Sequence, residues 1–484
     1  MSRPNRKGQQ QGRTGESMFV VATALIAAAL VAPPPVTPVV RQVLPSGIHL
    51  LVSPRPNARL VAIEIRVRGA GSGQETSDEN GLAHAVEHML FKGTESQPAG
   101  AFDARFERMG GEAFAQTLRD GTAFRVCVLP ERWKDALATW GELLQKPAFR
   151  ETDWAMERIV ILREMNVAQS ETAKLGLQAL ATIAYAPNDS YSRPLMGSRA
   201  NVERFTANDL RAFHTKRYQP ANLTVAVSGP VTAEEVKSVV SGQWSVVSGT
   251  VAPSPIPPRT ADYAPPTTNA PLRAPLFTDD EQTARKLATV YLGFHAPRLQ
   301  TDPSNAAACD VLATLLARGL GGILGDRLTG DRKLNTTSVY AEYLPQADRA
   351  LFVIHATGEK RDIGQIEDAI IAELETLKAR FANGDASLED LLEGAKSATI
   401  GEAEYPRQTV EGEAKYLAYL DMLNAPDGYA EKYAERVRAV SVADMSRLLE
   451  NYVTPPKRRV AVIGLSAIGA AASAPAFSEA EAVK

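Results

Sequence analysis

One short stretch carries residues of the types and spacing that bind a metal and move a proton. In His84-Ala85-Val86-Glu87-His88 the two histidines stand four apart, and Glu87 follows the first by three. On a helix these spacings place all three side chains on one face, about one turn apart. Two imidazoles at i and i+4 can grip one zinc ion, and a neighbouring carboxylate can act on the water bound to it. The order H-x-x-E-H reverses the commoner zinc-protease order H-E-x-x-H. The competing account is a helix that carries two histidines and a glutamate by chance, in a chain with only six histidines among 484 residues.

A catalytic zinc keeps three protein ligands and leaves a fourth position open, so two histidines leave the site one ligand short. Glu157 and Glu164 lie seven apart in a stretch that reads as helix, two turns that return to the same face. The intervening Ile159, Val160, Ile161 and Leu162 read as the anchor of that helix in the core. A glutamate projecting from such a helix needs a partner. A metal would supply one, and so would surface salt bridges to Arg158 and Arg163.

The positioning elements follow from periodicity. Leu82 to Phe91 reads as the motif helix, after a loop rich in Gly, Ser and Asp from Gly69 to Asn80. Gln42 to Pro54 reads as two strands about Gly47. Arg59 to Gly69 alternates Val61, Ile63, Ile65 and Val67 with Ala62, Glu64, Arg66 and Arg68, which predicts a strand with one buried face. A helix is expected from Ala101 to Met109, ended by Gly110-Gly111. Strands are expected at Ala113 to Thr117 and Thr122 to Leu129 about Asp120-Gly121. Long helices are expected at Glu131 to Leu144 and Glu151 to Ser170, with more helix to Tyr185. Strand and helix then recur in the second half, with strands at Leu287 to Phe294, Asn335 to Glu342 and Leu351 to Ala356. Thr206, Asp209, Pro220, Val225, Ala226, Val227 and Gly229 recur at one fixed offset as Ser441, Asp444, Pro455, Val460, Ala461, Val462 and Gly464. A constant offset across several residue types indicates duplication of a whole domain. The second copy has no counterpart of the two histidines, so a metal belongs to the first half alone.

Composition bounds the rest. The net charge of −3 and ordinary content of charged residues, 23%, give no footprint for nucleic acid. Arg3, Arg6, Lys7 and Arg13 precede an apolar run from Met18 to Ala32, which ends in small residues before Pro33-Pro34-Pro35. This pattern describes a secretory signal peptide over residues 1–32 and an exported, periplasmic protein. The run is short for a membrane span of about 20 residues, and an uncleaved N-terminal anchor is the alternative. Five segments are expected: the signal peptide, an N-terminal metallopeptidase domain over 40–248, a proline-rich linker over 249–275, a metal-free homologous domain over 276–466, and a disordered tail over 467–484. Cys127 and Cys309 sit in apolar runs, one in each half, and read as buried free thiols, with a disulfide as the alternative.

From Gln42 to Gly464 the sequence resembles the pitrilysin/insulinase family of zinc peptidases, the inverzincins, and in particular its half-length, mitochondrial processing peptidase-like bacterial members. The resemblance rests on Arg68-Gly-Ala-Gly-Ser, on Gly81-Leu-Ala-His-Ala-Val-Glu-His-Met-Leu-Phe-Lys-Gly-Thr94, and on Gly110-Gly-Glu-Ala. It continues through Glu157 to Met165, Tyr218-Gln-Pro-Ala-Asn222 and Val225-Ala-Val-Ser-Gly229. It implies an α+β fold of two homologous α/β-sandwich domains, each a mixed sheet packed with helices, facing each other across a cavity. It also implies one zinc ion per chain bound by His84, His88 and Glu164, with Glu87 as general base and Glu157 in support. The implied activity is that of a zinc endopeptidase acting on oligopeptides or unfolded segments. Non-catalytic structural or peptide-binding members of the family are the alternative.

Two departures bear on substrate binding. The strand that pairs with substrate usually carries Asn-Ala, and Phe114-Ala115 stands there, so Ala113, Phe114 and Ala115 form the candidate substrate edge. Phe114 reads equally as a core residue. Self-sufficient members also carry an Arg and a Tyr in the second half. Aligned on Thr337-Ser-Val-Tyr-Ala341, those positions fall on Gly330 and Thr337. Neither Asp326, Arg327 and Arg332 nor Tyr340 and Tyr343 restore the pair in register. The resemblance therefore implies a heterodimer with a homologous subunit that carries the Arg/Tyr pair, and a homodimer is the alternative.

Overall fold

The computed structural model describes residues 38–168, 172–244, 272–273, 286–319, 322–331 and 334–464. The signal peptide and terminal tail read from the sequence lie outside these residues. So does the expected linker over 249–275, apart from Leu272–Arg273. Those two residues form a strand, not linker: set between Pro271 and Pro275, they retain enough free backbone to pair in parallel with Arg459 and Val460.

The first half begins with β1 (Val40–Val43), β2 (His49–Pro54) and β3 (Val61–Arg68). Helices α1 (Leu82–Leu90) and α2 (Ala101–Arg108) follow, then the hairpin of β4 (Phe114–Thr117) and β5 (Gly121–Val128). Helices α3 (Trp133–Gln145), α4 (Glu151–Ala168), α5 (Thr172–Ala184), α6 (Arg199–Arg204) and α7 (Ala207–Arg217) lead to β6 (Leu223–Gly229) and α8 (Ala233–Gln243). The second half begins with β7 (Leu272–Arg273), β8 (Leu287–His295), α9 (Pro303–Leu316), β9 (Arg318–Gly319) and α10 (Gly322–Asp326). The hairpin of β10 (Thr336–Pro345) and β11 (Ala350–Glu359) precedes α11 (Ile363–Ala382), α12 (Ser387–Arg407) and α13 (Val410–Met422). Finally come α14 (Tyr433–Ala439), α15 (Val442–Asn451) and β12 (Arg459–Ile463).

Each half builds one six-stranded mixed sheet, in the orders β1-β2-β6-β3-β5-β4 and β7-β12-β8-β11-β10-β9. The topology repeats. β2 runs parallel to β6 as β7 does to β12. β3 pairs antiparallel with β5 and β6, as β8 does with β11 and β12. In chain order α1 therefore corresponds to α9, β4 to β10, α4 to α12 and α5 to α13. The duplication read from the sequence holds at atomic detail at its ends. Thr206 with Asp209 and Ser441 with Asp444 form complete capping boxes on α7 and α15. Pro220 and Pro455 each open a short 3-10 turn before β6 and β12. Cys127 and Cys309 are both free thiols.

The inner face of the first sheet behaves as expected: Val61, Ile63, Ile65 and Val67 are fully buried in one core with Trp140, Phe124 and the apolar side of α1. The outer face corrects the expectation of one-sided burial, because Ala62, Glu64 and Arg66 are buried too. Helix α13 of the second half lies across β3 and β6, so Leu51, Ala62 and Ala226 join the second half's core. Glu64 and Arg66 pair there at 2.9 Å, and Arg66 also lies over the Tyr419 ring. The exchange is reciprocal. Helix α5 of the first half packs on β8 and β12, placing Leu180 and Ala184 in a core with Tyr291, Val353 and Ile463. The approach needs Gly176, where a Cβ would come within 2.1 Å of the Tyr291 ring. Side chains link the halves around both helices: His49 Nδ1 lies 2.9 Å from Asp421, Arg125 Nε 2.9 Å from Glu411, and Arg349 donates to Asp189 at 3.0 Å.

Candidate metal centre

Helix α1 starts at a point that only glycine tolerates. Gly81 has φ +113°, in the left-handed region that side chains disfavour. A Cβ on its neighbour Gly197 would stand 2.4 Å from the Gly81 Cα. The first turn is held by Glu75, which accepts from the backbone N–H groups of Gly81 at 3.0 Å and Ala83 at 2.7 Å. An anion at a helix N-terminus is favourable, although burial pushes the Glu75 carboxyl up to about 7. Ala83, Ala85, Val86 and Met89 are fully buried, which fixes the helix rotation and turns His84, Glu87 and His88 together to the opposite side.

Helix α4 lies against α1 and brings Glu157 and Glu164 to the histidines. Trp154 and Ile161 are fully buried, but Ile159 and Val160 are 47% and 41% exposed. The expected anchor is therefore Ile161 with Trp154, whose Nε1 donates to the Phe205 carbonyl at 2.7 Å. Ile159 lies on the far side of the helix from the two glutamates, whereas Val160, three after Glu157 and four before Glu164, borders their face and remains exposed.

Three donor atoms converge. His84 Nε2 and His88 Nε2 are 3.2 Å apart. Glu164 Oε2 lies 3.3 Å from His88 Nε2 and 3.7 Å from His84 Nε2. Tetrahedral zinc with ligand bonds of 2.0–2.1 Å separates its ligand atoms by roughly 3.3 Å, so the donor set fits that ion. Among the described residues this is the one group of His, Cys, Asp and Glu side chains assembled closely enough to hold a metal. The Glu164 side chain is 44% exposed while the histidines are largely covered, which leaves the open side that a catalytic metal requires.

The supporting contacts are as specific. His88 Nδ1 lies 2.8 Å from Glu157 Oε1, and Lys92 Nζ lies 2.6 Å from the other oxygen of that carboxylate. The opposite ring nitrogen of a ligating histidine commonly bonds a carboxylate that fixes tautomer and orientation. The matching atom of His84, Nδ1, is buried without a hydrogen-bond partner. Burial, with His88 beside it, pushes His84 down to about 3, keeping its nitrogen neutral and able to donate a lone pair. Burial acts in the same direction on His88, but Glu157, Glu164 and Glu87 hold that imidazole above its ordinary value. Burial alone would raise Glu157, and the hydrogen bonds from His88 and Lys92 hold it below the ordinary range.

Glu87 faces β4. Its Oε2 accepts a 2.5 Å hydrogen bond from the Thr117 hydroxyl. Burial raises its carboxyl, against the lowering effect of Thr117 and His88. β4 is one of the two edge strands of its sheet, paired with β5 alone. Phe114 is 43% exposed, and the Arg125 guanidinium lies 4.5 Å from its ring centroid, which removes Phe114 from the core. Ala113 sits just before the strand, and Ala115 is half-buried within it.

Reading the sequence missed Thr117, Lys92 and Glu75. Lys92 stands four residues after His88, just past the end of α1, and could have been found. Thr117 and Glu75 reach the site through the fold and carry no local signal. In the second half Tyr343 is a core residue whose hydroxyl donates to the Pro297 carbonyl at 2.6 Å. Tyr340 is exposed and stacks on His355, Arg327 pairs with Glu373, and Thr337 donates to the Thr357 carbonyl. None of these reaches the histidines. Gly330 lies in a short helical turn, and Arg332 is outside the described residues.

Among the described residues no helix is long and apolar enough to cross a membrane. Comparison with known families matches residues 50–199 to "Insulinase (Peptidase family M16)" and residues 204–385 to "Peptidase M16 inactive domain". The chain is 28% identical to a probable mitochondrial-processing peptidase subunit beta of Arabidopsis thaliana, over 71% of this chain and 64% of that protein. It is 24% identical to the zinc protease PqqE of Helicobacter pylori, over 84% of this chain and 89% of the relative. A Helicobacter pylori protease of known structure superimposes with a TM-score of 0.78 at 21% identity, covering 89% of this chain and all of the other. The periplasmic protease PqqL of Escherichia coli gives a TM-score of 0.70 at 18% identity, over 90% of this chain and 48% of that one. Two α+β halves in the expected order, and two adjoining family matches that span most of the folded chain, place this protein in the insulinase family of peptidases, family M16.

Proposed function

We propose that the chain is a zinc-dependent endopeptidase of oligopeptides or unfolded polypeptide segments. The observation that carries this reading is the convergence of His84 Nε2, His88 Nε2 and Glu164 Oε2 beside the half-buried Glu87 carboxylate. His84, His88 and Glu164 would hold the zinc, with Glu157 fixing the His88 ring. Zinc, when bound, supplies a Lewis acid that polarises a peptide carbonyl and acidifies water. Glu87 accepts the proton of the attacking water and returns it to the leaving amine. Thr117 holds the Glu87 carboxylate in place for both transfers. The free edge of β4, Phe114 to Thr117 with Ala113 before it, aligns the peptide by backbone hydrogen bonds. With Phe114 in place of a side-chain donor, sequence selection at this position is weak.

By the family resemblance, the Arg and Tyr of self-sufficient members align with Gly330 and Thr337, which cannot replace them. We therefore read the chain as the zinc-bearing member of a heterodimer whose homologous partner supplies that pair. The relative named as a beta subunit supports this reading. The charged and apolar pattern of residues 1–32 supports export to the periplasm.

The test is cleavage of a fluorogenic peptide library by the zinc-loaded chain, alone and with the homologous chain that co-purifies with it, beside Glu87→Gln. Cleavage should require the pair and disappear in the variant. Turnover that survives Glu87→Gln would overturn the catalytic assignment. Full turnover by the isolated chain would overturn the pairing.

A further inference from the structure

The repeated topology gives the metal centre a counterpart. In the first half the site lies among α1, β4 and α4. The corresponding α9, β10 and α12 of the second half, joined by α13 and the segment leading into α14, enclose a cavity of about 510 Å³. Its lining is unlike the metal centre. It has no histidine, lysine or arginine, while Asp310 of α9, Glu342 of β10 and Glu402 of α12 border it. Six of the chain's thirteen tyrosines complete the wall. Tyr433 donates to Asp310 at 2.8 Å and Tyr419 to the Pro345 carbonyl at 3.3 Å, so with Tyr343 three of the six hydroxyls are tied to the protein. That fixes their rings.

A carboxylate taken from water is costly unless it is paired. Asp310 has a single tyrosine hydroxyl, and burial with Glu402 nearby pushes its carboxyl up to about 7. Glu402 adds like charge rather than compensation. Three arginines stack on these tyrosines, and none lines the cavity: Arg407, over Tyr416, pairs with Glu413 and Glu404, Arg66, over Tyr419, pairs with Glu64, and Arg436, over Tyr429, donates to the Tyr429 carbonyl. The cavity thus combines negative charge with aromatic surface, the two features that attract an organic cation. The carboxylates are not gathered closely enough to form a metal group, and the volume falls in the range of small-molecule pockets.

We propose that this cavity binds an organic cation, a guanidinium or primary ammonium group on an alkyl stem, with Asp310 as its counter-charge and the tyrosine rings as its walls. The cation is either a free amine or the side chain of a bound peptide. The site stands independently of the peptidase reading, since nothing in it uses zinc.

The experiment is calorimetric titration of the full chain with agmatine, with Nα-acetyl-arginine N-methylamide and with the neutral citrulline analogue of the latter, repeated in Asp310→Asn and Glu402→Gln. Agmatine should bind saturably with one site per chain, and the citrulline analogue at least about tenfold more weakly than the arginine compound. Asp310→Asn should weaken agmatine by about tenfold or more with zinc content unchanged. If Asp310→Asn fails to fold, Glu402→Gln should still weaken binding. Binding of agmatine and the arginine compound alike supports a peptide side chain as ligand, and binding of agmatine alone supports a free amine. Absence of saturable agmatine binding, saturable binding of the arginine compound and its neutral analogue with equal affinity, or agmatine binding unchanged in the folded variants would overturn the proposal.

Discussion

Helices α1 and α9 occupy the same step of a repeated topology and have opposite characters. In α1 one side is buried among Ala83, Ala85, Val86 and Met89, and the other presents His84, Glu87 and His88 to α4 and β4. In α9 Ala306, Ala307, Ala308, Cys309, Val311 and Leu312 are all buried, and Asp310 faces a tyrosine-lined cavity. The facing helices diverge in the same way: α4 offers Glu157 and Glu164, whereas α12 offers Thr399 and Glu402 at the corresponding wall. One scaffold therefore places a concave site at the same position twice, and the side chains of three elements decide its chemistry. Exchange of α5 and α13 between the halves binds the two copies into one body.

The largest expected effect that would break this contrast is on turnover. Glu87→Gln should lower peptide cleavage about 10²–10⁴-fold while zinc content, read by elemental analysis, stays at the wild-type level. Removal of a ligand acts differently: Glu164→Gln should release zinc, and a chelator applied to the wild type should abolish cleavage until zinc is restored. Glu157→Gln leaves three ligands but frees the His88 ring, so zinc affinity measured by competition should fall about 10–100-fold. Unchanged affinity would show that packing alone orients His88.

A smaller effect should come from the junction between the copies. Asp421 of α13 is half-buried, and hydrogen bonds from His49 and Thr224 outweigh that burial and hold its carboxyl below the ordinary range. A group with a depressed pKa stabilises the fold above its unfolded-state value, and that stability is lost as pH falls through the folded value. Below about pH 4 the Tm of the wild type should therefore fall more steeply than that of Asp421→Asn. Equal slopes would remove Asp421 from the junction's energetics. Smallest of all, Thr206→Ala and Ser441→Ala each delete one capping box and should each cost about 1 kcal/mol by denaturant unfolding. A clear difference between them would show that the duplicated segments no longer bear equal load.

Much of this was legible in the sequence because it is local. The spacing of His84, Glu87 and His88 fixes their shared face, the seven-residue step from Glu157 to Glu164 does the same on α4, and the repeated Thr/Asp and Ser/Asp caps reveal the duplication. What was hidden depends on contacts across the chain. The alternation in β3 reports its own core but not the helix from the other half that buries Glu64 and Arg66. The run from Ile159 to Leu162 gives no sign that only Ile161 turns fully inward. Thr117 looks like any strand threonine until the hairpin carries it to Glu87, and the cavity around Asp310 draws its walls from segments far apart in sequence.

The most direct test of the account is the zinc stoichiometry of the purified full-length chain beside His84→Ala. The account predicts one zinc per chain in the wild type and none in the variant, with the second half binding no zinc of its own. Zinc retained at full stoichiometry in His84→Ala, or a folded wild-type chain that binds none, would contradict it.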